Sequence, residues 1–243
     1  LIIRTQYLIL IVDFKYLFRF INNKKNFKGS SMFTGIIEAI CTVKTAAVSA
    51  GAMKLAVDLA APARGCKTGD SIAINGVCLT ITKITGTIVD FDISGETLAK
   101  TTLGSLRAGA FVNIERALAA DGRFGGHFVL GHIDGTAVIK KIEKKGRFSN
   151  MIFTVDKELL DCIIPKGSVA VDGVSLTVSE LNKDSFIVAL IPETLSRTTL
   201  GKAKVGDKVN IETDCIVKAV KKHLEQIMPK QGLTIEKLHD LGF

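Results

Sequence analysis

Apolar and polar positions alternate in short runs along most of the chain. "SIAINGVCLTITKI" (71–84) and "SVAVDGVSLTVSEL" (168–181) each read as two strands folded about Asn75-Gly76 or Asp172-Gly173, pairs that favour two-residue hairpin turns. "TIVDFDIS" (87–94) and "SFIVALIP" (185–192) are further strands; Glu-Thr-Leu then begins a short helical turn, and "AFVNIERA" (110–117) or "DKVNIETD" (207–214) closes each unit. Many short strands separated by turn residues predict closed antiparallel barrels, because closure removes exposed edges. The period changes only after Cys215. In "CIVKAVKKHLEQIM", Val217, Val220, Leu224 and Ile227 fall on one helical seam. Such a helix packs on its own barrel or pairs with equivalent helices of other subunits, and the residues leave both open. Pro229 ends it, and "LTIEKLHDLGF" makes a last turn or short helix.

The strand pattern occurs twice. "INGVCLTIT" (74–82) returns as "VDGVSLTVS" (171–179), "ETLAKTTLG" (96–104) as "ETLSRTTLG" (193–201), and "VNIE" (112–115) at 209–212. "FTGIIEAICTVKTA" (33–46) resembles "GHIDGTAVIKKIEK" (131–144). The expected organisation is therefore a first barrel within 32–125, a second within 126–214, and a helical tail over 215–243. The linker "AADGRFGG" is Gly-rich and polar.

Residues 1–31 are foreign to this pattern. They contain both tyrosines, no alanine, and six Lys/Arg against one acid. Their Leu, Ile, Phe, Lys, Asn and Tyr content reads as translated upstream AT-rich sequence, poorly ordered, with Met32 the natural start. Arg4, Asp13, Lys15 and Arg19 interrupt any membrane span, and no small-residue cleavage site follows "YLILIV". The net charge of +8 is concentrated in this leader, leaving about +3 elsewhere. No basic-aromatic interleaving follows, so nucleic acid and membrane are excluded as partners. The five cysteines, Cys41, Cys66, Cys78, Cys162 and Cys215, are scattered without a CxxC pair. That argues against zinc or a disulfide framework and fits a reducing, cytoplasmic setting.

No metal, phosphate-loop or GxSxG constellation is present. His127 and His132, five apart, would point to opposite faces of a strand. A Ser175–His132–Asp214 triad can be written on paper, but such triples arise by chance. What remains is polar groups at the barrel turns: Cys78 and Thr80, Ser175 and Thr177, His132, Lys166, Asp172 and Asp214. Their value lies in duplication. Two related half-sites suit two copies of one ligand.

The ordered set "MFTGIIE", "NGVCLT", "GGHFVLGHIDG", "DGVSLTV" and "IPETLSRTTLG" closely resembles the riboflavin synthase (alpha chain) family over about 32–227. The resemblance implies an all-β fold of two tandem, similar six-stranded antiparallel Greek-key barrels followed by a C-terminal α-helix. It implies a homotrimer joined through that helix, no metal or organic cofactor, and lumazine synthase as a partner to consider. The implied reaction is dismutation of two 6,7-dimethyl-8-ribityllumazine molecules, one giving four carbons to the other, to yield riboflavin and 5-amino-6-ribitylaminouracil. Related antenna proteins bind one chromophore without turnover and degrade the second half-site; both halves are kept here.

By motif, the resemblance implies a first pocket of Gly35, Ile36, Ile37, Cys78, Leu79, Thr80, Asp92, Ile93, Ser94, Gly95, Glu96 and Thr97. The second would hold Gly131, His132, Ile133, Lys166, Ser175, Leu176, Thr177, Ala189, Leu190, Ile191, Pro192, Glu193 and Thr194. Phe33, Cys78, His132, Ser175 and Asp214 are the positions it implies for catalysis. One departure is Leu130, where the family often carries a small or polar residue.

Overall fold

The computed structural model describes residues 31–227. Residues 1–30 of the leader and the final "LTIEKLHDLGF" lie outside the described residues. The first barrel is built from β1 (Ala39–Ser49), β2 (Ala52–Asp58), β3 (Ser71–Ile74), β4 (Val77–Thr85), β5 (Ile88–Ile93) and β6 (Phe111–Arg116). These close antiparallel in the order β1-β2-β5-β4-β3-β6. The second comprises β7 (Gly135–Lys145), β8 (Phe148–Thr154), β9 (Ser168–Val171), β10 (Val174–Leu181), β11 (Ser185–Leu190) and β12 (Lys208–Thr213). It closes in the same order, so both are six-stranded barrels of one topology. Short helices α1 (Gly95–Lys100), α2 (Lys157–Leu160) and α3 (Pro192–Arg197) sit between strands, and α4 (Cys215–Ile227) follows the second barrel.

Local chemistry explains the elements. Asn75 and Gly76 have φ of 45° and 78°, and Asp172 and Gly173 44° and 79°. Positive φ at both central residues is the type I′ turn, whose twist matches that of the flanking strands. The alternation reads correctly: in β4, Leu79 and Ile81 are buried while Cys78 and Thr80 face outward, and β10 repeats this with Leu176, Val178, Ser175 and Thr177. Inside the barrels lie aliphatic and Phe side chains, including the stacked Phe153–Phe186 pair, 5.2 Å between centroids. Each buried side chain of this size contributes about 1.5–3 kcal/mol relative to exposure.

The barrels meet at their hairpin tips. A Cβ on Gly76 would lie 2.7 Å from the Gly173 nitrogen, and one on Gly173 2.8 Å from the Gly76 nitrogen. Around this contact, the Asn113 side chain donates to the Asp172 carbonyl (3.0 Å) and accepts from the Thr199 N–H (2.8 Å). Asn210 mirrors it, donating to the Asn75 carbonyl (2.9 Å) and accepting from Thr102 (2.7 Å). Phe33, Ala73, Val129 and Ala170 form a small apolar cluster between the barrels.

The helix α4 departs from the expected seam. Ile216, Val220 and Leu224 are 54%, 53% and 48% exposed, at spacings of four, whereas Val217 is half-buried. Lys218 reaches Asp134 of the second barrel at 2.8 Å, which turns Val217 inward and leaves the other three as an outward stripe. The Ile227 side chain lies outside the described set. No helix among the described residues is long and apolar enough to cross a membrane.

Candidate functional site

The duplicated Cys and Ser open on outward faces of equivalent hairpins. On the first barrel, Cys78 and Thr80 of β4 lie beside β5, whose Ile81–Phe91 pairing puts Thr80 next to Asp92. Ser94 follows and caps α1, accepting from the Thr97 N–H at 3.2 Å. On the second barrel, the Val178–Val188 pairing puts Thr177 next to Ala189. There Ile191 takes the cap position without a side-chain bond, Pro192 starts α3, and Ile191 is half exposed. The two faces thus share a frame but differ in polarity. Lys166, at φ 63°, is exposed and ties its ammonium to the Ser179 carbonyl at 3.0 Å.

A crossed arrangement links each entry segment to the other barrel. The Gly35 carbonyl accepts from the Ser175 N–H of the other barrel at 2.8 Å. Gly131 in turn accepts from the Cys78 N–H at 3.0 Å. Both glycines have φ of 77°. A Cβ would sit 2.6 Å from the Ser175 Cβ or 2.4 Å from the Cys78 Cβ, so only glycine fits. Ile37 enters the second barrel's core and Ile133 packs on the first's. The segment entering each barrel lies across the mouth of the other.

Two buried carboxylates hold these segments. Glu115 accepts from the Thr34 N–H (2.7 Å), the Thr34 hydroxyl (2.9 Å) and the Gly35 N–H (3.0 Å). Glu212 accepts from the Leu130 N–H (2.7 Å) and the Gly131 N–H (2.9 Å). Burial pushes both carboxyls up, Glu212 to about 7, against the pull of these amides. Leu130 enters this contact through its backbone, so its side chain takes no part in the hold.

The histidines divide differently from the paper triad. His127 Nδ1 lies 2.7 Å from Ser175 Oγ, and the His127 backbone N–H donates to the Thr34 carbonyl at 3.1 Å. Burial lowers the His127 pKa, opposed by the nearby Asp214 carboxylate. Its Nε2 is buried with no protein partner among the described residues, so in the tautomer whose Nδ1 accepts from Ser175 the Nε2–H stays unpaired. Burial favours the neutral imidazole beside that hydroxyl. His132 instead is exposed, one residue after the Gly131 whose carbonyl accepts from the Cys78 N–H. Asp214 accepts from the Ile216 N–H at 2.9 Å at the start of α4. The segment carrying both histidines is an irregular loop with one bridge, Phe33–Val129, rather than a strand, and the opposite-faces reading fails for that reason.

Other expected residues serve packing. Phe33 is fully buried between the barrels, in a cluster against which Cys78 packs. Ile37, Leu79, Ile93, Leu176 and Leu190 are core residues. Ile36, Glu96, Glu193, Gly95, Pro192 and Thr194 stay at the rims, with Glu96 and Glu193 paired to Lys100 and Arg197 along their helices. Burial pushes the Cys78 thiol up, keeping it protonated. Glu115 and Glu212 were not singled out by sequence, and His127 was weighed there only beside His132; for the glutamates the repeated "VNIE", an acid and an amide among apolar strand residues, was the available signal. Hollows of about 680 Å³ beside Glu38 and Arg116 and about 860 Å³ beside Phe148 and Lys204 are lined by neither Cys78 nor Ser175. No cluster of three or more potential metal ligands occurs among the described residues.

Comparison with known proteins agrees with this frame. The lumazine binding domain family matches twice, over residues 34–117 and 130–214. Riboflavin synthase of Bacillus subtilis is 42% identical over 215 residues, 87% of this chain and 100% of that protein. Riboflavin synthase of Escherichia coli is 47% identical over 165 residues, 68% of this chain and 78% of that protein. Among solved structures, LumP complexed with riboflavin superposes with a TM-score of 0.69 at 25% identity, covering 74% of this chain and 98% of that one. Fold and faces define a tandem lumazine-binding barrel protein. The chain belongs to the riboflavin synthase family.

Proposed function

We propose that this enzyme catalyses the last step of riboflavin biosynthesis: dismutation of two 6,7-dimethyl-8-ribityllumazine molecules to riboflavin and 5-amino-6-ribitylaminouracil. The observation that carries the reading is the pair of equivalent outward faces, each crossed by a glycine segment, with Cys78 on one and Ser175 on the other. One ring binds each face. The four carbons lost by one molecule are gained by the other, so atoms balance without an oxidant or reductant. Rate comes largely from holding two like molecules in opposed orientation. The acidic methyl at ring position 7 of one molecule needs only modest base help, which His127 beside Ser175 offers on one face; addition of a nucleophile to the other ring, released again later, prepares carbon–carbon bond formation on the face of Cys78.

The site residues named from sequence belong to these faces, with domains over 32–125 and 126–214. Each face is open in one chain, and the exposed Ile216–Val220–Leu224 stripe calls for a partner. The reading therefore extends to a homotrimer in which the tail (215–243) joins copies and the first barrel of one faces the second of its neighbour. Five unpaired cysteines suit the cytoplasm, and lumazine synthase, which makes the substrate, is the natural neighbour there. The test is direct: purified protein given the lumazine alone forms riboflavin, followed by absorbance. Tight binding without turnover would assign it to the antenna class instead.

A further inference from the structure

We infer that each buried glutamate governs the half-site on the opposite barrel: Glu115 of β6 is a positioning residue for the Ser175–His127 face, and Glu212 of β12 for the Cys78–His132 face. The inference rests on the reading that each face binds one ring. It starts from where the carboxylate oxygens go. Both oxygens of Glu115 are taken up by Thr34 and Gly35, and both of Glu212 by Leu130 and Gly131. Neither side chain is open to solvent, at 5% and 1% exposure. A carboxylate so enclosed and so engaged does no proton chemistry on a ligand; it fixes two successive amides.

Those amides belong to the crossing segments. With Gly35 held by Glu115, its carbonyl takes the Ser175 N–H, and the preceding Thr34 carbonyl takes the His127 N–H. Both members of the Ser175–His127 pair are thus located, through one residue each, by a carboxylate of the first barrel. With Gly131 held by Glu212, its carbonyl takes the Cys78 N–H, and His132 is the next residue along. The absent Cβ at each glycine lets the segment close onto Cys78 or Ser175. The ionised carboxylate accepts at both oxygens, whereas a glutamine would turn an N–H toward one of the two amides. The coupling is therefore crossed, and the two glutamates are separable.

Glu115→Gln and Glu212→Gln test this, with riboflavin as the probe. Calorimetry gives the number bound per chain, and iodoacetamide labelling of Cys78, read by peptide mass, reports which face is covered. For Glu115→Gln the expected result is one binding event weakened on the order of tenfold while riboflavin still shields Cys78. For Glu212→Gln one event is weakened likewise and shielding of Cys78 is lost. Glu212→Asp, which keeps the charge one methylene short, should show the same loss in milder form and serves if the glutamine variant does not fold. Loss of shielding in Glu115→Gln, equal weakening of both events in either variant, or unchanged binding in both would overturn the inference. Wild-type protein that binds riboflavin without shielding Cys78 would overturn the two-face reading itself, a failure visible before any variant is made.

Discussion

Ser175 Oγ and His127 Nδ1 lie 2.7 Å apart, and the two residues come from different parts of the molecule: a β10 strand and the loop that joins the barrels. The pair exists only when that loop is folded back over the second barrel.

His127→Ala should reduce turnover by roughly 10²- to 10⁴-fold, the range for a lost general base, and, since the ring is buried and bonded to Ser175, lower the melting temperature as well. Ser175→Ala should act in the same direction. Burial lowers the His127 pKa below its usual 6.5, so the neutral base persists into mildly acidic solution and the acid limb of the rate profile lies below pH 6.5. In His127→Ala that limb should vanish from the residual rate. A limb that survives the substitution assigns the titration to another group.

Asp172 gives a pH effect on stability. Burial, with the Asp207 charge adding and the Asn210 N–H opposing, lifts its carboxyl to about 7 from 3.8. The unfolded chain releases that proton near pH 4 and the folded chain only near 7, so the group destabilises progressively between those values and fully above them. Its counterpart is Asn75, which makes the same turn and accepts the Asn113 N–H as Asp172 accepts that of Asn210. Asp172→Asn should therefore stabilise the protein at pH 8, by up to about 4 kcal/mol, and change nothing at pH 4. Urea midpoints at both values decide it.

The hairpin tips offer a steric test. Gly76→Ala or Gly173→Ala drives a methyl into the facing backbone at 2.7–2.8 Å and should lower stability by several kcal/mol, with the barrels forced apart. Gly86→Ala is the control: its φ of 63° is similar but no atom lies within 4 Å of the added carbon, so only the left-handed strain of about 1–2 kcal/mol remains. Equal losses in the two would show that backbone strain, not inter-barrel contact, makes Gly76 necessary.

The stripe on α4 predicts the assembly state. On the proposed trimer, Val220→Asp should give monomers in sedimentation and remove turnover with it, since each face then stays open. A variant that keeps both mass and activity would place the subunit contact elsewhere.

The hairpins, the alternation and the two closed barrels were legible because they are local: Asn-Gly and Asp-Gly fix a turn, and period two fixes a face. The crossing of Gly35 to Ser175 was not. Gly35 and Gly131 look the same in sequence whether each closes on its own barrel or on the other, and only the tertiary contact separates the two. His127 was visible but misplaced, since two histidines five apart read as strand residues when the backbone there is a loop. On α4 the pattern found a helix but chose Val217 for the seam, because sequence spacing does not reveal that Lys218 and Asp134 set its rotation. Cys78 and Ser175 as counterparts needed nothing beyond the repeat.

The exchange of glycine segments is what two identical barrels would make across a twofold axis, each lending its entry strand to its mate. In such a pair of separate chains every position is copied, and both faces must carry the same side chain. Joining the copies in one polypeptide removes that obligation. Position 78 can then hold a thiol while 175 holds a hydroxyl, and a catalyst for two identical molecules gains unlike hands.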